Sequence, residues 1–328
     1  MREVTASAPG KVNLALRVGA PAPDGYHPLA TVFEALDLRE TVTVRTTRTP
    51  GTAIETIAHL PGGGIDHATC ELMRAVPPRS HLAVRAARAM QRLAAAGPWA
   101  STSAGLAIRV DKRVPVAGGM AGGSADAAAT LVACNALWGL GLGPDQLERI
   151  GRALGADVPA CLTGGIALGT GRGDHMAPLE CPETRHHWVI ALAHEGLSTA
   201  DVFAEFDRAA RGATAPAAHG APAPAVPTDE ELADLTGPAR LAGPRLVNDL
   251  TDAALSLRPE LGGTLSAARA AGALAAIVSG SGPTVAALAS SAHHADEIAE
   301  RLAAAPAVAR VLTTTGPAPG ARVEQQKG

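Results

Sequence analysis

In the segment Ala8-Pro9-Gly10-Lys11-Val12-Asn13-Leu14 a lysine and an asparagine stand two residues apart. On a β-strand that spacing puts both on one face, where an amine and an amide can hold a hydroxyl or a phosphate. Exposed Lys and Asn on a half-buried strand are also ordinary, so the pair gains meaning only from partners elsewhere. A second group is the loop Pro115-Val116-Ala117-Gly118-Gly119-Met120-Ala121-Gly122-Gly123-Ser124-Ala125. Its glycines let backbone N–H groups approach an anion, and the helix that follows presents its positive end, which are the two needs of a polyphosphate site. Ser124 and Asp126 are expected to cap that helix, with Ser124 alternatively reaching a phosphate or its metal. A tight turn with an N-cap explains the same residues without a ligand.

Asp157, in Gly155-Ala156-Asp157-Val158-Pro159, precedes a proline-bearing helical turn and suits either an N-cap or a base. The turn Ser279-Gly280-Ser281-Gly282-Pro283-Thr284 alone reads as a hairpin connection. Two nucleotide motifs are excluded. No Lys-Ser/Thr pair follows the last glycine of the loop, as a Walker A loop requires, and Met120 stands where a dinucleotide fingerprint needs its second glycine.

The elements that must carry these groups follow from hydrophobic periodicity. Val12, Leu14, Leu16 and Val18 alternate with Lys11, Asn13, Ala15 and Arg17, which predicts a half-buried strand over 8–18. A second strand is expected over 40–46, with Val42 and Val44 inward. Leu82, Ala86, Ala89, Met90 and Leu93 lie at helical spacing over 80–96. A strand over 106–110 runs into the glycine loop, and a helix over 127–138 leaves it. Pro144 inside its start and Gly155 past its end bound another helix. Further on, a helix ending at Gly272, strands at 275–279 and 284–288, a helix over 293–305 and a strand over 308–313 predict an α+β second domain. The division expected is 1–175 and 176–318, with the Ala/Pro/Gly-rich 211–227 as a flexible excursion and 319–328 as a frayed tail.

The whole chain sets limits. At 328 residues it exceeds the length at which one core usually stops growing. With 28 basic and 31 acidic residues interspersed it offers no basic face for phosphodiester backbones, so no nucleic-acid partner is expected. Cys70, Cys134, Cys161 and Cys181 lack C-x-x-C spacing, which suits a reducing compartment. No signal-peptide core and no uninterrupted apolar span is visible, so a cytoplasmic chain without membrane contact is expected. The pairs His186-His187 and His293-His294 tempt a metal reading, but neighbours on a regular element point apart and are expected to be solvated or capping. The single tyrosine, Tyr26, lies in a polar loop, Asp24-Gly25-Tyr26-His27.

In this order and spacing, residues 8–14, 115–130 and 279–285 resemble the three motifs of the galactokinase, homoserine kinase, mevalonate kinase and phosphomevalonate kinase (GHMP) superfamily. The resemblance implies a two-domain α+β fold: an N-terminal domain like ribosomal S5 domain 2, a C-terminal ferredoxin-like domain, and a cleft between them. It implies an ATP-dependent kinase of a small-molecule alcohol, with ATP over residues 115–125 and Mg²⁺ held mainly by phosphate oxygens, water and Ser124. Asp157 would be the base and Lys11 the cation that holds the nucleophile. Asp24-Gly25-Tyr26-His27, Gly155 to Pro159 and Asn248-Asp249 look like the branch whose alcohol is a cytidine diphosphate-linked methylerythritol of the non-mevalonate isoprenoid pathway. Tyr26 and His27 would then meet cytosine, while Asn13, Gly282 and Thr284 would hold the substrate end. Where the family usually has Asn-Leu near adenine, this chain has His81-Leu82, leaving His81 a candidate. A homoserine- or mevalonate-type kinase, a non-catalytic binding protein of the same fold and a nucleic-acid module remain the rivals, and the chain is expected as a monomer or homodimer.

Overall fold

The structure, a computed structural model, describes residues 2–181, 184–212 and 223–327. Strands β1 (Glu3–Val18), β2 (Leu29–Thr46), β3 (Gly51–Ala58), β4 (Gly105–Lys112), β5 (Ile166–Thr170) and β6 (His175–Leu179) come from the first half, followed by β7 (His186–Ala193), β8 (Val247–Asn248), β9 (Ala275–Val278), β10 (Val285–Ala289), β11 (Val308–Gly316) and β12 (Arg322–Lys327). The larger sheet runs β12-β1-β2-β4-β3, with β8 on β1 and the β5–β6 pair on β2. The smaller runs β11-β7-β10-β9, antiparallel throughout, with helices Glu260–Ala270 and Ala292–Ala303 packed against it. Its strands, taken in chain order, lie 4-1-3-2, the split βαβ arrangement of a ferredoxin-like domain.

The strand expected to be half-buried is buried on both faces from Val4 to Leu16, apart from Thr5. The reason lies in its pairing with β2, which slips between Pro9 and Lys11. Before the slip, Val4, Ala6 and Ala8 pack beneath helices Leu82–Ala95 and Gly122–Leu137; beyond it, Val12 and Leu14 join Trp188, Ile190, Ile277 and Leu288 of the second sheet. Such irregularities let one strand serve two cores. The two domains therefore share a core rather than meeting across a linker.

Four other expectations are corrected. The tail at 319–328 is not frayed: β12 pairs with the edge of β1 from Glu3↔Lys327 to Ser7↔Arg322, and Arg39 donates to the Gly320 carbonyl at 2.8 Å. Its charged, polar sequence is that of a solvent-facing edge strand, which single-sequence reading takes for a tail. The helix after the glycine loop begins at Gly122 rather than 127, with Ala121 at its N-cap, so Ser124 and Asp126 are inside the helix and neither caps it. The single helix read up to Gly272 is two, Thr251–Leu257 and Glu260–Ala270, parted at Pro259. Leu93, assigned to the inner face, is exposed. The excursion read over 211–227 falls mostly outside the described residues; the Ala225 carbonyl accepts from Arg17 Nη1 at 3.2 Å.

His186, expected to be solvated or capping, is fully buried between the domains. Nδ1 meets Glu34 Oε2 of β2 at 2.8 Å and Nε2 meets the Gly237 carbonyl at 2.9 Å. A carboxylate and a carbonyl are acceptors, an arrangement that favours the cationic ring with both nitrogens donating. Burial opposes that charge, but the Glu34 hydrogen bond and charge, with the Gly237 carbonyl, outweigh it and raise the imidazole above its ordinary 6.5. The stabilisation is complete below the unfolded-state value and is lost as pH rises through the folded one. Urea unfolding from about pH 6 to 9 should show stability falling with pH, and His186→Gln should flatten that part of the curve.

Candidate active site

Residue 10 is glycine because the loop at 114–120 lies against the strand. A Cβ there would sit 3.1 Å from Val114 and 3.2 Å from the Met120 carbonyl. With that approach open, the Lys11 amide donates to the Met120 carbonyl at 3.1 Å, fixing the glycine loop to β1. Ala117, Gly119 and Ala121 have φ of 54°, 70° and 61°, so every second residue is left-handed and the backbone curls. Alternation of this kind gathers N–H groups into an anion-binding concavity, at the cost of about 1–2 kcal/mol of strain per non-glycine residue. The first-turn amides of 122–124 complete it, since no preceding turn exists for them to bond to.

The loop is clamped from the other domain. A Cβ on Gly119 would lie 2.1 Å from the Ser279 carbonyl oxygen, and one on Gly118 would lie 2.8 Å from Thr284 Oγ1. The turn 279–284, read from sequence as a hairpin connection, does join β9 to β10, and it is this turn that meets the glycine loop. Asn248 holds it in place, donating from Nδ2 to the carbonyls of Val278 (2.8 Å) and Gly280 (2.7 Å) while accepting from the Leu250 amide. Asp249 accepts from the Val18 amide at 2.9 Å. Both lie on the short β8–helix junction beside β1.

Lys11 and Asn13 point into this junction. Lys11 Nζ donates to Asn13 Oδ1 at 2.6 Å and lies 3.9 Å from Asp157 Oδ2. Asn13 Nδ2 donates to Thr31 Oγ1, which in turn donates to the Ala15 carbonyl, so the amide's orientation is fixed. Phe33 closes one side, its ring centroid 5.3 Å from Nζ. A Cβ on Gly280 would come within 3.3 Å of Nζ, so the second-domain turn reaches the lysine directly. Asp157 occupies the N-cap position of helix Val158–Thr163 yet makes no side-chain cap hydrogen bond, which leaves its partly exposed carboxylate free for Lys11 and a ligand. Ser124, buried in the first turn, faces Gly155: a Cβ there would be 3.9 Å from its Oγ.

Beneath the loop a buried trio sets the helix start. Lys112 Nζ donates to Glu40 Oε1 at 2.7 Å and to Asp126 Oδ2 at 2.8 Å, and the Arg113 amide donates to Glu40 Oε2. Gly122 admits this trio, a Cβ there lying 3.2 Å from Glu40. One ammonium faces two carboxylates out of water. Burial, with the Asp126 charge added and Lys112 opposing, pushes Glu40 up to about 8, while Asp126 and Glu40 together outweigh burial and keep Lys112 protonated. Nothing in the sequence signals a contact between residues 72 positions apart, so this support was not expected.

The structure therefore brings together Lys11, Asn13, Asp157, the loop 115–125, Gly282 and Thr284. Thr284 packs behind Gly118 and is almost fully buried. Tyr26 and His27 lie on the loop that joins β1 to β2. Tyr26 is 56 % exposed, whereas His27 is buried, with Nδ1 on the Gly19 carbonyl at 2.7 Å and its ring 5.0 Å from that of Phe203. His81 is buried at the start of helix Leu82–Ala95, next to Leu82, which would touch a Cβ on Gly123 at 3.7 Å.

Comparison with known proteins gives the family. Residues 81–165 match the GHMP kinases N terminal domain and residues 230–308 the GHMP kinases C terminal domain. A 4-diphosphocytidyl-2-C-methyl-D-erythritol kinase from Thermobifida fusca is 48 % identical over 98 % of each chain, and one from Streptomyces coelicolor is 46 % identical over 98 % of this chain and 99 % of its own. A crystal structure of a 4-(cytidine 5'-diphospho)-2C-methyl-D-erythritol kinase superposes with a TM-score of 0.70 at 31 % identity, covering 95 % of this chain and 98 % of that one. A two-domain fold matched by both of these family models is that of the GHMP kinases. The chain belongs to them and, among them, to the family of 4-diphosphocytidyl-2-C-methyl-D-erythritol kinases.

Proposed function

We propose that this chain transfers the γ-phosphoryl group of ATP to the 2-hydroxyl of 4-diphosphocytidyl-2-C-methyl-D-erythritol, giving the 2-phosphate and ADP. The hydroxyl oxygen forms the new bond to phosphorus as the bond to the ADP oxygen breaks, and the hydroxyl proton passes to Asp157. Lys11 holds the attacking oxygen, lowers its pKa and balances charge on the transferred group. In such transfers most of the gain comes from alignment and charge stabilisation, so a loosely timed proton transfer suffices. The observation that carries this reading is the 3.9 Å approach of Lys11 Nζ to Asp157 Oδ2 beside the glycine loop.

In this reading the amides of 119–124 bind the ATP phosphates, and His81 lies on the adenine side. Mg²⁺, when bound with ATP, supplies charge neutralisation on the phosphates; the Ser124 hydroxyl, oriented by the first helical turn, is the protein oxygen suited to it. Asn13 holds the substrate diol, Gly282 and Thr284 shape the same end, and Tyr26 and His27 bind cytosine, a stacking task that suits the exposed ring of Tyr26, with the buried, hydrogen-bonded His27 beside it. The Asp-Gly-Tyr-His loop favours the cytidine-bearing alcohol over homoserine or mevalonate. Retention of both Lys11 and Asp157 speaks against a non-catalytic binding role, and the balanced charge speaks against a nucleic-acid module. Among the described residues no helix is long and apolar enough to cross a membrane. In this proposal the enzyme works in the cytoplasm, as a monomer or homodimer. The test is ³¹P NMR of the purified chain with ATP and a panel of cytidylylated and simple alcohols. A 2-phosphate should form only with the cytidylylated methylerythritol; equal turnover of homoserine or mevalonate would overturn the substrate assignment.

A further inference from the structure

Tyr26 is the one tyrosine of the chain, and its ring does not stand alone. The guanidinium carbon of Arg172 lies 3.7 Å from the ring centroid, a stacking distance. Arg172 is itself held: Nη2 donates to Asp24 Oδ2 at 2.7 Å, and its amide donates to Asp174 Oδ1 at 3.1 Å. Asp24 closes the circuit, since Oδ1 accepts from the Tyr26 amide at 3.0 Å. The turn that carries Arg172 joins β5 to β6, and its Gly171 carbonyl accepts from the Leu29 amide at 2.7 Å, tying it to the end of the tyrosine loop. One face of the phenol is thus covered by a fixed cation, while more than half of the residue's surface remains open.

We infer that Arg172 is a positioning residue for pyrimidine recognition: it stacks on one face of Tyr26 so that the other stands ready for the base of the cytidine-bearing substrate proposed above. A free tyrosine on a polar loop would sample several rotamers and lose that freedom on binding. Asp24 and Arg172 order the ring beforehand, so less entropy is lost when the base arrives. The planar, fork-shaped guanidinium is needed both for the stack and for Asp24; a lysine has the charge without the plane. The role is in binding and not in phosphoryl transfer, so it acts on one substrate only.

Arg172→Ala should raise KM for the cytidylylated substrate by about three- to tenfold, with kcat and KM for ATP within about twofold of wild type, and Arg172→Lys should recover little of the loss. A second readout uses the single tyrosine. Protein grown with 3-fluorotyrosine gives one ¹⁹F resonance, which cytidine and cytidine diphosphate should each shift on titration. In Arg172→Ala the dissociation constants of both ligands should rise by the same factor. Unchanged constants, or a rise for cytidine diphosphate alone, would overturn the inference, the latter by making Arg172 a phosphate contact. A wild-type resonance indifferent to both ligands would instead remove Tyr26 from the base site and take the cytidine assignment with it.

Discussion

Asp157→Asn is expected to lower kcat by about a hundred- to ten-thousand-fold, the range for a positioned proton acceptor, while KM for ATP stays within about twofold. The substitution is nearly isosteric and the native carboxylate makes no cap hydrogen bond, so helix Val158–Thr163 loses no capping interaction. Circular dichroism and the thermal midpoint should match wild type. Lys11→Ala is expected to cost about a hundred- to a thousand-fold in kcat, because it removes a cation aimed at charge that grows as the phosphoryl group moves. Steady-state kinetics with both substrates varied gives the split. A loss confined to KM would make both residues binding groups only.

The second large effect lies in the backbone. Gly119→Ala places a Cβ 2.1 Å from the Ser279 carbonyl oxygen at a position where φ is +70°. Neither a rotamer change nor a flexible neighbour relieves that contact, since the obstacle is main chain. The loop must withdraw from the turn 279–284, and the concavity of N–H groups opens with it. We expect KM for ATP to rise at least about tenfold and stability to fall by about 2 kcal/mol or more, measured by kinetics and urea unfolding. Gly263→Ala is the matched control: it lies inside helix Glu260–Ala270 with nothing within 4 Å of the new Cβ, and it should be neutral or slightly stabilising. If both variants behave alike, the clamp between loop and turn is not what shapes the phosphate site.

Much of this was legible in the sequence wherever the signal was local. The glycine loop followed by a helix, the Pro144 and Gly155 bounds of helix Pro144–Leu154, and the hairpin turn at 279–284 each follow from short-range backbone chemistry. The shared face of Lys11 and Asn13 followed from strand periodicity alone. What was not legible depended on pairing at a distance. The slip between β1 and β2 decides that even-numbered residues before and after Gly10 enter different cores, and no pattern within β1 reports its partner's register. Asp126 reads in the sequence as a helix cap, and neither Glu40 nor Lys112 signals a partner until the sheet brings the three together out of water. Asn248 is half a step between these cases: the Asn-Asp pair ahead of a helix is a visible signal, but that its amide secures the turn carrying Gly280 follows only from β8 lying beside β1. His186 shows the same limit, since its partner Glu34 belongs to the other domain.

The measurement that bears most directly on the site is a double-mutant cycle on positions 11 and 157, read as kcat in single-turnover experiments. Two groups 3.9 Å apart that act on one oxygen lose their benefit together, so Lys11→Ala combined with Asp157→Asn should be little slower than the worse single variant. Losses that multiply would show the two side chains working independently, and the convergence of lysine and aspartate on one hydroxyl would be wrong.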